Sequence, residues 1–113
     1  MNNNHELYCE FLKYCENCND TIEETWKKFV LADFESGINK ILEIFNKLEV
    51  IINYADSLNK FEKDNYFNIQ NLLLKLNSLE KAMSIPDYVL VADILKYEIQ
   101  VCISEWIKKI NKL

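Results

Sequence analysis

The near absence of residues that make tight turns is the feature that most constrains how this chain folds. Its 113 residues include one glycine, Gly37, and one proline, Pro86. Because glycine and proline supply the backbone angles of most turns, we expect a few long elements joined by short connections. Half of the residues are hydrophobic, which is enough to build the core of a single domain spanning residues 1–113.

Apolar residues recur every three to four positions along most of the chain, which is the period of an amphipathic α-helix. This period predicts four helices, at about residues 4–31, 33–58, 64–83 and 86–111. The last start is marked by Ser84, Pro86 and Asp87, which are residue types that begin helices. Since short links between long helices favour antiparallel neighbours, the sequence predicts an all-α fold, an antiparallel up-down-up-down four-helix bundle.

Four cysteines raise the question of a metal or redox site. Cys15 and Cys18 are three apart, but redox pairs usually lie at a helix N-terminus, and Cys15 is about three turns into the first predicted helix. On a helical wheel Cys15 and Cys18 fall on the apolar side and Cys9 on the polar side. We therefore interpret Cys15, Cys18 and Cys102 as small buried hydrophobic residues. The alternative is a metal site formed by these three residues and one further group.

Composition argues against several other classes of function. A single histidine, His5, cannot supply the Glu-x-x-His pairs of dimetal bundles, and one glycine leaves no glycine-rich phosphate loop. We expect no enzyme activity and no cofactor. A net charge of -5 and the lack of arginine argue against nucleic-acid binding. Neither a signal peptide nor an apolar run of ~18 residues is present, so we expect a cytoplasmic protein with reduced cysteines and no membrane contact.

The fourth predicted helix differs from the others because it carries two apolar stripes. The expected core stripe includes Leu95, Ile99, Cys102 and Trp106. A second stripe lies roughly opposite and consists of Leu90, Ile94, Tyr97 and Val101. An outer helix of a small bundle needs only one apolar face. The second stripe is therefore either a wide flank of the core or a surface that binds another protein or a second copy of the chain.

We favour the binding surface and include two polar residues beside the stripe. The predicted partner-binding residues are Leu90, Asp93, Ile94, Tyr97, Glu98 and Val101. Tyr97 suits an interface because its ring is apolar and its hydroxyl group can stay in water.

The same helix carries a family resemblance. Residues 87–98, DYVLVADILKYE, followed by Glu105 and Trp106, resemble the C-terminal signature D-Y-V-L-x-A-D-x-L-x-Y-E of a family of small, functionally uncharacterised bacterial helical proteins. Lys96 departs from the pattern, where an acidic residue is commoner. The resemblance implies a helical bundle. It also implies a link to motility, because genes of that family often lie near flagellar genes, but it implies no activity.

These observations lead to one functional hypothesis and two alternatives. We expect a non-catalytic protein-interaction module, adaptor- or chaperone-like, which binds a partner through the fourth helix. The first alternative is a structural homodimer in which the second stripe packs on its own copy. The second is a metal- or ligand-binding bundle that uses Cys15, Cys18 and Cys102.

Overall fold

The computed structural model describes residues 3–62 and 65–113. Within these two ranges it has four helices and no β-strand, so the predicted all-α class is confirmed. The helices are α1 at Asn3–Val30, α2 at Phe34–Asn59, α3 at Ile69–Ser84, and α4, a continuous helix composed of Tyr88–Ile94, a π-helical turn at Leu95–Ile99, and Gln100–Asn111. The molecule is elongated, with extents of 49 × 21 × 20 Å.

Helices α2, α3 and α4 each begin one residue after a side chain that caps them. The side chains of Asp33, Asn68 and Asp87 accept a hydrogen bond from the backbone N–H three residues further on, at 3.4, 3.0 and 3.1 Å. Each cap satisfies one of the donors that the first helical turn leaves unpaired. Pro86 lies in the turn before the cap of α4, so α4 begins two residues later than predicted.

The connection between α2 and α3 also differs from the prediction. The predicted start of the third helix, at about residue 64, lies outside the described residues, and the helix itself begins at Ile69. Before it, the Phe67 ring is fully buried and packs edge-on against Phe11, with ring centroids 5.0 Å apart. The Asn59 side chain fixes this loop by exchanging two hydrogen bonds, of 2.9 and 3.0 Å, with the backbone of Phe67.

Cross-helix contacts show that α1 and α2 run antiparallel. Glu10, early in α1, accepts a hydrogen bond of 2.7 Å from Tyr54, late in α2. Glu24, late in α1, pairs with Lys40, early in α2, at 3.2 Å. Later residues of α1 therefore pair with earlier residues of α2.

The same reasoning shows that α1 and α4 run antiparallel. Asn19, in the middle of α1, donates a 3.0 Å hydrogen bond to Ser104 in the last part of α4. Phe29, at the end of α1, contacts Tyr88 at the start of α4, with ring centroids 5.8 Å apart. Helix α4 also packs against α3, so it has helical neighbours on two sides.

The core takes side chains from all four helices and from the loop residue Phe67. Its largest fully buried side chains are Phe11, Phe67, Ile22, Ile41, Ile44, Leu48, Ile51, Leu58, Leu72, Leu79, Ile94 and Leu95. Fully burying a side chain of this size contributes about 1.5–3 kcal/mol each, so this core is the main source of stability.

Gly37 lets α1 and α2 approach closely at one end of the domain. It is buried near the start of α2, and a Cβ atom added there would lie 2.7 Å from Cε2 of the Phe29 ring. Real Cβ atoms essentially never approach another heavy atom so closely. The Phe29 ring therefore occupies the space that any other residue at position 37 would need.

We expect Gly37→Ala to lower the free energy of unfolding by about 1 kcal/mol, because the cost of overpacking exceeds the gain in helix propensity. Urea unfolding followed by circular dichroism measures this change. The matched control is Gly37→Ala in a Phe29→Leu background, where the added methyl group has room and should be neutral or stabilising. An equal loss in both backgrounds would show that the Phe29 contact is not the cause.

Candidate functional site

Ile94 does not lie on the surface, although the helical wheel assigns it to the second stripe of α4. It is only 2% exposed and belongs to the core, so that prediction is wrong. Because α4 packs against both α1 and α3, its buried arc is wider than a single stripe. In addition, the turn at Leu95–Ile99 is π-helical. A π turn takes about one residue more than an α turn, so a wheel with a constant angle misplaces residues across it.

The other apolar residues predicted to bind a partner do lie on the surface of α4. Their exposed fractions are 40% for Leu90, 63% for Tyr97 and 47% for Val101. The structure thus places three of the four residues of the stripe where a partner can reach them. Whether a partner binds them stays a prediction.

The two polar residues of the predicted set have different surroundings. Asp93 is exposed and faces a groove beside α4. Glu98 is partly exposed, and its carboxylate lies 3.4 Å from the Lys75 ammonium group on α3. The carboxylate of Glu98 is therefore already paired with a lysine of the chain, whereas the side chain of Asp93 is exposed.

The groove next to Asp93 is a feature that the sequence pattern does not reveal. It lies where the end of α1, the start of α2 and the first part of α4 meet, and its volume is about 300 Å³. It is lined by Trp26, Phe29, Val30, Phe34, Tyr88, Val89, Ala92, Asp93 and Tyr97. We call it the aromatic groove because five of these nine side chains carry aromatic rings.

The aromatic groove has a packed floor. The rings of Phe34 and Tyr88 stack with their centroids 4.5 Å apart and an angle of 22° between their planes. Phe29 contacts both rings, with centroid distances of 6.1 and 5.8 Å. Since Phe29 also packs against Gly37, these rings join α1, α2 and α4.

A polar cluster holds α1 and α4 together at one side of the groove. The Lys96 ammonium group pairs with Glu23 at 2.5 Å and lies 4.7 Å from the centroid of the Trp26 ring. Gln100 donates a second hydrogen bond to Glu23, at 3.2 Å. The hydrogen bond from Lys96, followed by that from Gln100, holds the pKa of Glu23 below its usual value. This side of the groove is therefore fixed and electrically balanced.

The structure places three cysteines in the core and one on the surface, and all four thiols are free. Cys15, Cys18 and Cys102 are buried, as predicted, and Cys9 is exposed. Burial raises the pKa of all three buried thiols, that of Cys18 to about 12. They are neutral at physiological pH. Among residues 3–62 and 65–113, no group of three or more His, Cys, Asp and Glu side chains is placed to hold a metal ion.

Comparison with known protein families matches residues 6–109 to the family described as "Domain of unknown function (DUF8042)". The chain belongs to the DUF8042 family. The match agrees with the resemblance seen in the sequence in one respect, that the family is uncharacterised. No curated protein and no solved structure matches this DUF8042 domain. In the part of the chain that the structure describes, no helix is both long and apolar enough to cross a bilayer.

In the native DUF8042 domain, we expect the thiol reagent dithiobis(nitrobenzoate) to react rapidly with one thiol per chain. That thiol is Cys9, because the other three are buried and neutral. Absorbance of the released thiolate measures the reaction. Cys9→Ser should remove the rapid phase, Cys15→Ala should keep it, and all four thiols should react after unfolding in guanidinium. Rapid reaction of a second thiol in the native state would contradict the assigned burial.

We also expect the DUF8042 domain to lose stability as pH rises from about 9 toward 12. The pKa of Cys18 is raised from 9.0 to about 12 in the folded state, so above pH 9 the unfolded chain releases a proton that the folded chain keeps. With Cys18→Ala, the unfolding free energy should therefore fall less steeply with rising pH, by about 1 kcal/mol per pH unit in this window. Urea unfolding at several pH values measures the slope, and Cys9→Ala, which removes an exposed thiol, serves as the control. Equal slopes for the wild type and Cys18→Ala would contradict the prediction.

Proposed function

We propose that this protein is a non-catalytic protein-interaction module, adaptor- or chaperone-like, which binds a partner protein through α4 and the aromatic groove. One observation carries the proposal: five aromatic rings converge on an open groove at the surface of a small helical domain. Apolar surface gathered in one place on a small domain marks interaction sites. Tyrosine and tryptophan, which both line this groove, are also the residue types that dominate binding energy at protein interfaces.

The packed floor supports binding by a preformed site. Phe29, Phe34 and Tyr88 contact one another, so these rings are ordered without a partner. A site that is ordered beforehand loses less conformational entropy on binding. The volume of about 300 Å³ is at the lower end for ligand pockets, which suits one or two anchoring side chains of a partner protein.

The outer face of α4 extends this surface. Tyr97 belongs both to the aromatic groove and to the predicted stripe, and Leu90 and Val101 are exposed on the same helix. A partner that fills the groove therefore has further apolar contacts available along α4. Asp93 is the charged residue that lines the groove.

Three broader inferences accompany this function. We infer that the four helices form an antiparallel up-down-up-down bundle, which the antiparallel pairing of α1 with α2 and with α4 supports. We infer a cytoplasmic location, which four free cysteines support because disulfides are rare in that compartment. A link to motility rests on the resemblance of residues 87–98 alone.

A structural homodimer is the alternative that a specific observation favours. Leu90, Tyr97 and Val101 are exposed on one helix, and the same surface on two copies can pack together around a two-fold axis. In that case the exposed residues of α4 would cover each other, and no second protein would be needed.

We expect Tyr97→Asp to lower recovery of the partner protein at least about tenfold, because it places a charge where an apolar contact forms, at a cost of about 1.4 kcal/mol or more. Quantitative mass spectrometry after affinity capture from lysate of the native cell measures recovery. Tyr14→Asp is the matched control, since Tyr14 is an exposed tyrosine of α1 outside the groove. Both variants should keep the helical circular dichroism of the wild type.

Two outcomes would contradict the proposal. Equal recovery of the partner with folded Tyr97→Asp and wild type would move the binding site away from the groove. If the wild type captures only its own copies, and light scattering shows a dimer that Tyr97→Asp dissociates, the homodimer is the correct alternative.

A further inference from the structure

The aromatic groove has one unbalanced charge. Asp93 is the only charged residue among those that line it, and its side chain is exposed. Asp93 forms no ion pair with any residue in the described ranges. Lys96, three residues further on, is instead paired with Glu23 at 2.5 Å. A partner seated in the groove would thus meet a single carboxylate that has no ion-pair partner among the described residues.

Three further acidic residues are sequence neighbours of two lining residues. Asp33 and Glu35 flank Phe34 in the sequence, and Asp87 precedes Tyr88. All three acidic residues are exposed, and within the part of the chain that is described none of them pairs with a lysine. Asp33 and Asp87 cap helices with backbone hydrogen bonds, which leaves their charge in place. None of the three lines the aromatic groove, so Asp93 is the carboxylate that a partner in the groove would meet.

Apart from Lys96, which is paired with Glu23, two lysines at this end of the domain line a different surface. Lys27 and Lys28, in the last turn of α1, line a separate hollow together with Leu31. They are not among the residues that line the aromatic groove. The charged residue that a partner inside the groove would meet is therefore Asp93.

The rings of the groove are suited to a cation. Lys96 already lies 4.7 Å from the centroid of the Trp26 ring, which is the distance of a cation–π contact. The Tyr97 ring is exposed and makes no ring or cation contact with any other described residue. One aromatic face next to Asp93 is therefore available to a group from a partner.

We infer that the occupant of the aromatic groove is an arginine-bearing amphipathic segment of another protein, an inference that rests on the proposed function. An apolar side chain of the segment packs on Phe34 and Tyr88, while its guanidinium group stacks on Tyr97 and pairs with Asp93. Arginine fits this position better than lysine, because its planar group can stack on a ring and bind a carboxylate through two hydrogen bonds. The chain itself has no arginine, so a second copy cannot supply this group.

Panning of a random-peptide display library on the purified full chain tests the inference even while the natural partner is unidentified. Removing peptides that also bind a Tyr97→Ala variant, which lacks the ring but adds no second carboxylate beside Asp93, keeps those that depend on the groove. We expect the remaining peptides to be enriched in arginine at three or four positions from a leucine or an aromatic residue, which is the spacing of one helical face. In the best peptide, Arg→Glu should weaken binding more than about tenfold, and Arg→Lys by a smaller factor.

Asp93→Asn identifies the charge that the arginine meets. On this variant, the peptide and its Arg→Glu form should bind with nearly equal affinity in fluorescence anisotropy, whereas Asp56→Asn, an exposed aspartate of α2 outside the groove, should keep the difference. Groove-dependent peptides without enriched arginine would overturn this inference and leave the proposed function standing. A library that yields no peptide dependent on Tyr97 would overturn both.

Discussion

The contact between the Phe29 ring and Gly37 determines how three helices meet at one end of this domain. With no side chain at position 37, the ring of Phe29 lies directly on α2 and from there contacts Phe34 and Tyr88. The end of α1, the start of α2 and the start of α4 are thereby joined by one group of rings. The aromatic groove is the outer side of this group, so the geometry of the candidate site follows from core packing.

Helix α4 serves the core and the surface at once. Its neighbours α1 and α3 bury a wide arc that includes Ile94 and Leu95, and this burial holds the helix in place. Beside the groove, the Lys96–Glu23 pair links α4 to α1 at a site where both side chains are partly exposed. Such a pair adds little stability, but it fixes Lys96 over Trp26 and leaves the Asp93 carboxylate as the charge that faces outward.

The amino-acid sequence predicts the local features of this fold well. It predicts poorly the features that form only when the helices pack together. Four helices follow from apolar periodicity and from capping residues such as Asp87, because those signals act within a few residues. The aromatic groove could not be predicted, since Trp26, Phe34 and Tyr88 come from three helices that are brought together only by packing. Periodicity misplaces Ile94 for the same reason: it shows one face of a helix, while burial depends on how many neighbours the helix has.

If the groove binds the proposed segment, its chemistry would select against wrong partners as much as for the right one. A purely apolar segment would cover Asp93 without replacing its hydration, which is unfavourable for a carboxylate. A second copy of the chain carries the same net charge of -5 and has no arginine, so its approach is opposed by like charge. A segment that combines an apolar anchor with arginine avoids both penalties. In the proposed complex, specificity would therefore come from one carboxylate without an ion pair, placed beside rings that could otherwise bind any apolar surface.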